Sequence, residues 1–148
     1  MADTTFNHGE VLYRLDGEVA IIVFRKKDKS IRTLLGTRSL RVLEKMTRDS
    51  NFMCAKMNGR DSKLNTPKYN EDGTRIANKN IAAIDLIIED VRCFNIDNVI
   101  EIKWLGMPQD TAQQGYCFQW YELFKGFYDK YDERTALENF EVRQKMGI

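Results

Sequence analysis

Arg25, Lys26, Lys27 and Lys29 crowd one short polar stretch, and Arg38, Arg41, Lys45 and Arg48 follow at spacings of three, four and three. On a helix those spacings bring the cations to one face. Arg60, Lys63, Lys68, Arg75 and Lys79 continue the series through a polar segment. Residues 24–68 hold thirteen Lys and Arg against Asp28, Glu44, Asp49 and Asp61, a surplus of nine, although the whole chain carries only +1. Residues 81–148 reverse the balance, with seven basic residues and twelve acidic ones. Lysines and arginines clustered in this way neutralise phosphates and release counterions, which gives salt-sensitive affinity with little base specificity. The competing reading is a solvated basic surface, or one that docks on acidic C-terminal helices of another copy. Only Phe52 and Tyr69 stand near enough to stack on bases, which argues against a dedicated single-strand platform.

Other chemistry finds few candidates. His8 is the only histidine, in a segment expected to fray, and no GxSxG elbow or motif-flanked cysteine accompanies it. Cys54, Cys93 and Cys117 are dispersed and odd in number, which points to reduced thiols rather than a disulfide framework. They form no CxxC pair, so a zinc site lacks its ligands. No Walker loop or GxGxxG cradles a nucleotide. The carboxylate pairs Glu89-Asp90 and Asp132-Glu133 fall at a turn and at a helix start, where acids serve backbone geometry and the helix dipole. The expectation is therefore a non-enzymatic protein without metal or cofactor.

The elements that must position the cations are short. Glu18–Arg25 reads as a strand apolar on both faces, Lys26-Lys27-Asp28-Lys29 as a turn, and Ser30–Gly36 as the returning strand of a hairpin. Ser39–Arg48 reads as a helix carrying Leu40, Leu43 and Met46, with Thr37 or Ser39 as its cap. Residues 50–57 read as a further strand. Asn58 to Asn80 reads as a long basic loop punctuated by Asn58-Gly59, Thr66-Pro67 and Asp72-Gly73, the last able to close a small hairpin. Ile81–Ile88, Val91–Ile96 and Val99–Trp104, joined by Glu89-Asp90 and Asp97-Asn98, read as an antiparallel meander.

After Asp110 the period is helical, and a second helix is expected over Asp132–Met146. Eight aromatics fall within residues 116–131, more than one stripe needs for packing. Phe118, Trp120, Tyr121, Phe124 and Tyr128 are accordingly candidates for an interface, either a homodimer or a host-protein contact.

Residues 19–104 resemble a family of small tailed-phage proteins with an Sm/SH3-like fold. The resemblance rests on the hairpin Phe24-Arg25-Lys26-Lys27-Asp28 to Ile31-Arg32, the short helical turn, and the closing run Asp85-Leu86, Arg92-x-Phe94 and Val99-Ile100. It implies an α+β fold, a small antiparallel SH3/Sm-like β-barrel with a short internal helix; the barrel unit is expected over residues 1–107, with a long basic insertion at 49–80 that lies outside the resemblance. The aromatic helices of residues 108–148 would pack on it. It also implies a viral origin and a role in host takeover.

With 148 residues, 43% of them hydrophobic, the chain can bury a core unaided. Its longest apolar runs are too short to cross a bilayer, no secretory leader is evident, and a cytoplasmic location is expected. The leading expectation is a nucleic-acid-binding accessory protein, acting on double-stranded DNA with low specificity. The alternative is an interaction module that captures a host protein through its aromatic helices.

Overall fold

The computed structural model describes residues 6–106 together with residues 121, 122 and 125. Helix α1, His8–Leu15, opens it: the side chain of Asn7 accepts from the Glu10 N–H at 3.0 Å, and Val11 and Leu15 are buried one turn apart. His8 thus stands at the start of a helix and not in a frayed segment. A satisfied cap and an i, i+4 apolar pair hold a helix where composition alone suggested none.

Strands β1, Val19–Arg25, and β2, Ile31–Thr37, form the expected hairpin, with Val23 opposite Thr33. Lys29 takes φ 70° in the turn, and the Asp28 carboxylate accepts from the Ser30 N–H at 2.9 Å. Helix α2 runs Leu40–Met46 from its cap at Ser39.

Next comes the largest departure from expectation. Residues 50–57 are not a strand, and the segment beginning at Asn58 is not a loop throughout. Ser50–Leu64 is one fifteen-residue helix, α3, capped by Asp49, whose side chain accepts from the Phe52 N–H. Only Met53 and Met57 are buried on it, so its apolar stripe is too thin to read from period. Two-residue strands β3, Lys68–Tyr69, and β4, Arg75–Ile76, then close the small hairpin at Asp72-Gly73.

Strands β5, Asn80–Asp85, β6, Asp90–Asn95, and β7, Val99–Gly106, complete the order. β5 stops at Asp85 rather than Ile88, because the buried Asp85 carboxylate accepts from the N–H groups of Ile87 and Ile88 and turns the chain.

The sheet is antiparallel throughout, in the order β6-β5-β2-β1-β7. The expected meander is therefore wrong at its last step: β7 pairs with β1, not with β6. The link before it is a 3-10 turn, Ile96–Asn98, not a tight hairpin. β1, apolar on both faces, pairs with β7 from Val19 to Phe24, with register shifts after Val19 and after Val23.

β2 and β5 pair only at Gly36 with Asp85 and Thr37 with Ile84, so the sheet splays beyond that point. Two strands lie between β1 and β6, which in a flat sheet would separate them by about 14 Å. The rings of Phe24 on β1 and Phe94 on β6 nevertheless lie 5.6 Å apart. The sheet is strongly curled, but it is not closed into a barrel: β6 and β7 are its two edges.

Each face carries a core. Ala20, Ile22, Phe24, Leu34, Ala83, Phe94 and Ile102 fill one, plugged by Val11 and Leu15 of α1. Val19, Ile21, Leu35, Ala82 and Ile84 fill the other, covered by Val42 and Leu43 of α2 and by Met53 and Met57 of α3. Tyr121, half-buried and helical, packs against this second cluster. Phe118, Trp120, Phe124 and Tyr128 lie outside the described residues. No helix among the described residues is long and apolar enough to cross a membrane.

Candidate nucleic-acid interface

Lys56, Arg60 and Lys63 recur at i, i+4 and i+7 along α3, which sets them on one face of that helix. Between that face and β6 lies a hollow of about 360 Å³, lined by Lys56, Gly59, Arg60, Lys63, Asp90 and Arg92 among others. Arg60 is shared with a second hollow of about 500 Å³. Its walls are Arg25, Lys26 and Lys27 from the β1–β2 turn, Leu64 from α3, and Cys93, Phe94 and Asn95 from β6, with Asn80 and Asn98. Leu64 and Asn80 in turn border a third, of about 310 Å³, beneath the β3–β4 hairpin with Lys68 and Arg75. The three share lining residues and together make a trough around the C-terminal half of α3, and a smaller hollow of about 50 Å³, lined by Arg38 and Asp61 among others, shares Leu64 and Asn80 with two of them.

The charge of its walls is one-sided. Arg25, Lys26, Lys27, Lys56, Arg60, Lys63, Lys68, Arg75 and Arg92 line it, and among the described residues Asp90 is the sole carboxylate in its walls. Asp90 is itself neutralised: Lys56 Nζ lies 2.5 Å from its Oδ1, and Arg92 Nη1 lies 3.5 Å from its Oδ2. The Lys56 hydrogen bond holds the Asp90 carboxyl below the usual aspartate range against the opposing effect of burial, helped by the Val91 N–H and by both cations. Arg60 Nη1 reaches Cys93 Sγ at 3.5 Å on the floor.

Seven of the cations singled out by sequence therefore meet here: Arg25, Lys26, Lys27, Arg60, Lys63, Lys68 and Arg75. Lys29 is exposed in the hairpin turn without lining the trough, and neither do Arg41, Lys45 and Arg48. Arg48 sits beyond the end of α2 and pairs with Glu89 at 3.0 Å.

Arg38 is no surface cation at all. It precedes α2, its side chain is 10% exposed, and its guanidinium makes four hydrogen bonds. Nε donates to Asp16 at 3.0 Å, Nη1 to Asp61 and to the Ala82 carbonyl at 3.0 and 2.7 Å, and Nη2 to Asp61 at 2.7 Å. Burial works to lower its pKa, but hydrogen bonds and charge from Asp61 and then Asp16 outweigh it and raise the pKa above the ordinary arginine value. Arg38 is a clamp joining the α1–β1 connection, α3 and β5.

No family model, curated protein or solved structure matches this chain. The trough has to be judged by its own geometry.

Lys56 and Arg92 were missed by sequence reasoning. Lys56 would have been found had residues 50–64 been read as a helix, since it extends the spacing of Arg60 and Lys63 by one turn. Arg92 sits in the acidic half of the chain and gives no local signal.

His8 Nε2 lies 3.1 Å from the Asn80 carbonyl and ties α1 to the start of β5. Cys54 and Cys93 are free thiols, half-buried against the core, and Cys117 lies outside the described residues. Among the described residues no three His, Cys, Asp or Glu side chains converge as metal ligands would.

Proposed function

We propose that the protein is a non-enzymatic nucleic-acid-binding accessory protein whose trough follows a phosphate backbone. The observation that carries this reading is the nine-to-one excess of cations over carboxylates among the described residues of the trough walls, within a chain of net charge +1. Those cations come from the β1–β2 turn, α3, the β3–β4 hairpin and β6, segments far apart in sequence. A surface that is merely solvated mixes its signs. Here the acid of α3 nearest the trough cations, Asp61, is spent on Arg38 instead.

The resemblance to small tailed-phage proteins supplies a setting, in which the protein acts on host or viral DNA transactions. It also proposes that the curled sheet is a variant of the SH3/Sm-like roll. The Phe24–Phe94 contact and the placing of β7 beside β1 support that view of the fold. Capture of a host protein, or a homodimer, through the aromatic tail has less support, since Tyr121 packs against the core of its own chain.

Binding of labelled random-sequence duplex DNA at about 50 and 200 mM salt tests the proposal, with affinity expected to fall by orders of magnitude over that range. Lys27→Glu with Arg60→Glu should weaken binding at least about tenfold and reduce the salt slope by about two. Arg41→Glu with Lys45→Glu, outside the trough, should change it far less. Equal losses in both pairs, or no binding at the lower salt, would overturn the assignment of the trough.

A further inference from the structure

The hollow between the β1–β2 turn, α3 and the end of β6 differs from the rest of the trough in its floor. A surface that only follows phosphates needs cations, and this one also gathers neutral amides over an apolar base. The side-chain amides of Asn80 and Asn98 have no hydrogen-bond partner among the described residues. Asn95 commits only its Oδ1, which accepts from the Asp97 N–H at 2.9 Å. Each offers donors, and Asn80 and Asn98 also offer acceptors, in the combination that base edges complement. Leu64, Phe94 and Cys93 lie beneath, with Phe94 only 3% exposed, so the floor is apolar without offering a free ring for stacking. Arg25, Lys27 and Arg60 stand on the rim, and no carboxylate among the described residues lines the hollow.

We propose that this hollow is a nucleotide subsite: it takes one unstacked nucleotide of a single strand, its phosphates on the rim cations and its base edge against the asparagine amides. This deepens the nucleic-acid reading above and rests on it. The size supports it, since about 500 Å³ lies within the usual range of small-molecule pockets, whereas a duplex keeps its base edges inside its own grooves. Unstacked bases of single strands are read by hydrogen bonds to their edges together with stacking on aromatic rings or arginine planes, and here the amides would supply the first. The subsite runs against the scarcity of aromatics noted from sequence, because hydrogen bonding here replaces stacking.

The test compares a fluorescein-labelled mixed-sequence single strand with its own duplex, by anisotropy at one salt concentration, for the native chain and for Asn80→Ala with Asn98→Ala. The single strand should bind the native chain at least about fivefold more tightly than the duplex. The double variant should remove most of that preference, each lost contact counting for about two- to tenfold. Its duplex affinity should fall less than its single-strand affinity, and its melting temperature should stay unchanged, because neither side-chain amide has an intramolecular partner among the described residues. Equal affinity for strand and duplex in the native chain would overturn the subsite while leaving the backbone reading intact. An equal loss for both ligands in the variant would do the same. Failure of either nucleic acid to bind at about 50 mM salt would overturn both.

Discussion

Without the Arg38 guanidinium, Asp61 keeps no cation within reach on its buried side and the Ala82 carbonyl loses a donor. Breaking a buried pair by removing one partner is costly, and Asp61 retains 25% exposure, so Arg38→Met should destabilise the fold by about 2–4 kcal/mol in urea denaturation. The nucleic-acid affinity of the folded fraction should not change. Lysine would not rescue the site, since it cannot reproduce a fork that binds Asp61 twice. Spacing alone places Arg38 beside Arg41 and Lys45 as a phosphate ligand, and nothing local betrays the two carboxylates that claim it, because Asp16 and Asp61 are brought to it only by the folded chain. The Lys56–Asp90 pair makes a prediction about acid. The Asp90 carboxyl sits lower in the folded state than its ordinary value, so its stabilisation is complete above about pH 4 and is lost as the pH falls through the folded value. Asp90→Asn should therefore be less stable than the native chain near neutrality, with the gap in urea midpoint closing as the pH falls through that range. A gap that stays constant would contradict the cause assigned to the shift.

Helix α3 decides where the trough runs, and it was the element least visible beforehand. Its interior includes Gly59, Asn58 and Ser62, poor helix formers, and its buried side amounts to two methionines. The cap at Asp49 and the i, i+4 pair Met53–Met57 were present in the sequence, but Asn58-Gly59 read as a turn. In contrast, the β1–β2 hairpin and the Asp72-Gly73 turn were legible, since a strand apolar on both faces and a turn dipeptide each have one dominant structural solution. The two glycines that test these elements should respond in opposite directions. A Cβ at Gly59 meets nothing within 4 Å, so Gly59→Ala should stabilise the helix by about 0.5–1 kcal/mol. A Cβ at Gly36 would lie 3.2 Å from Leu34 Cγ and 3.3 Å from the Ile84 carbonyl, at one of the two pairs joining β2 to β5. Gly36→Ala should destabilise by about 1–3 kcal/mol. Paired thermal melts would decide both, and a loss at Gly59 would mean that residues 50–64 are not helical in solution.

The molecule as a whole separates charge that the sequence leaves nearly balanced. A surplus of nine in residues 24–68 becomes a trough with one carboxylate among its described residues, but membership is set by topology and not by the sequence window: Arg92 and Arg75 join from outside it, while Arg38, Arg41, Lys45 and Arg48 inside it go elsewhere. The sign of the surface could be read in advance and its shape could not, since the trough exists only because α3 lies along β5 and β6. β6 also borders the trough as an edge strand, where an unpaired backbone would invite another chain. At Val91 that risk is met locally: its N–H donates to Asp90 at 2.8 Å and its carbonyl accepts from Arg92 at 3.0 Å. The salt bridge between those two side chains thus occupies backbone groups that a foreign strand would use.

The pairing of β7 with β1 has a consequence for the chain as it is made. Val19 lies opposite Gly106 and Phe24 opposite Val99, so the first strand to be synthesised waits for the last one described before its outer edge is covered. Until then a strand whose side chains are apolar on both faces presents open backbone to its surroundings. A ribosome that stalls before residue 99 therefore releases an adhesive fragment, not a weakened version of the protein.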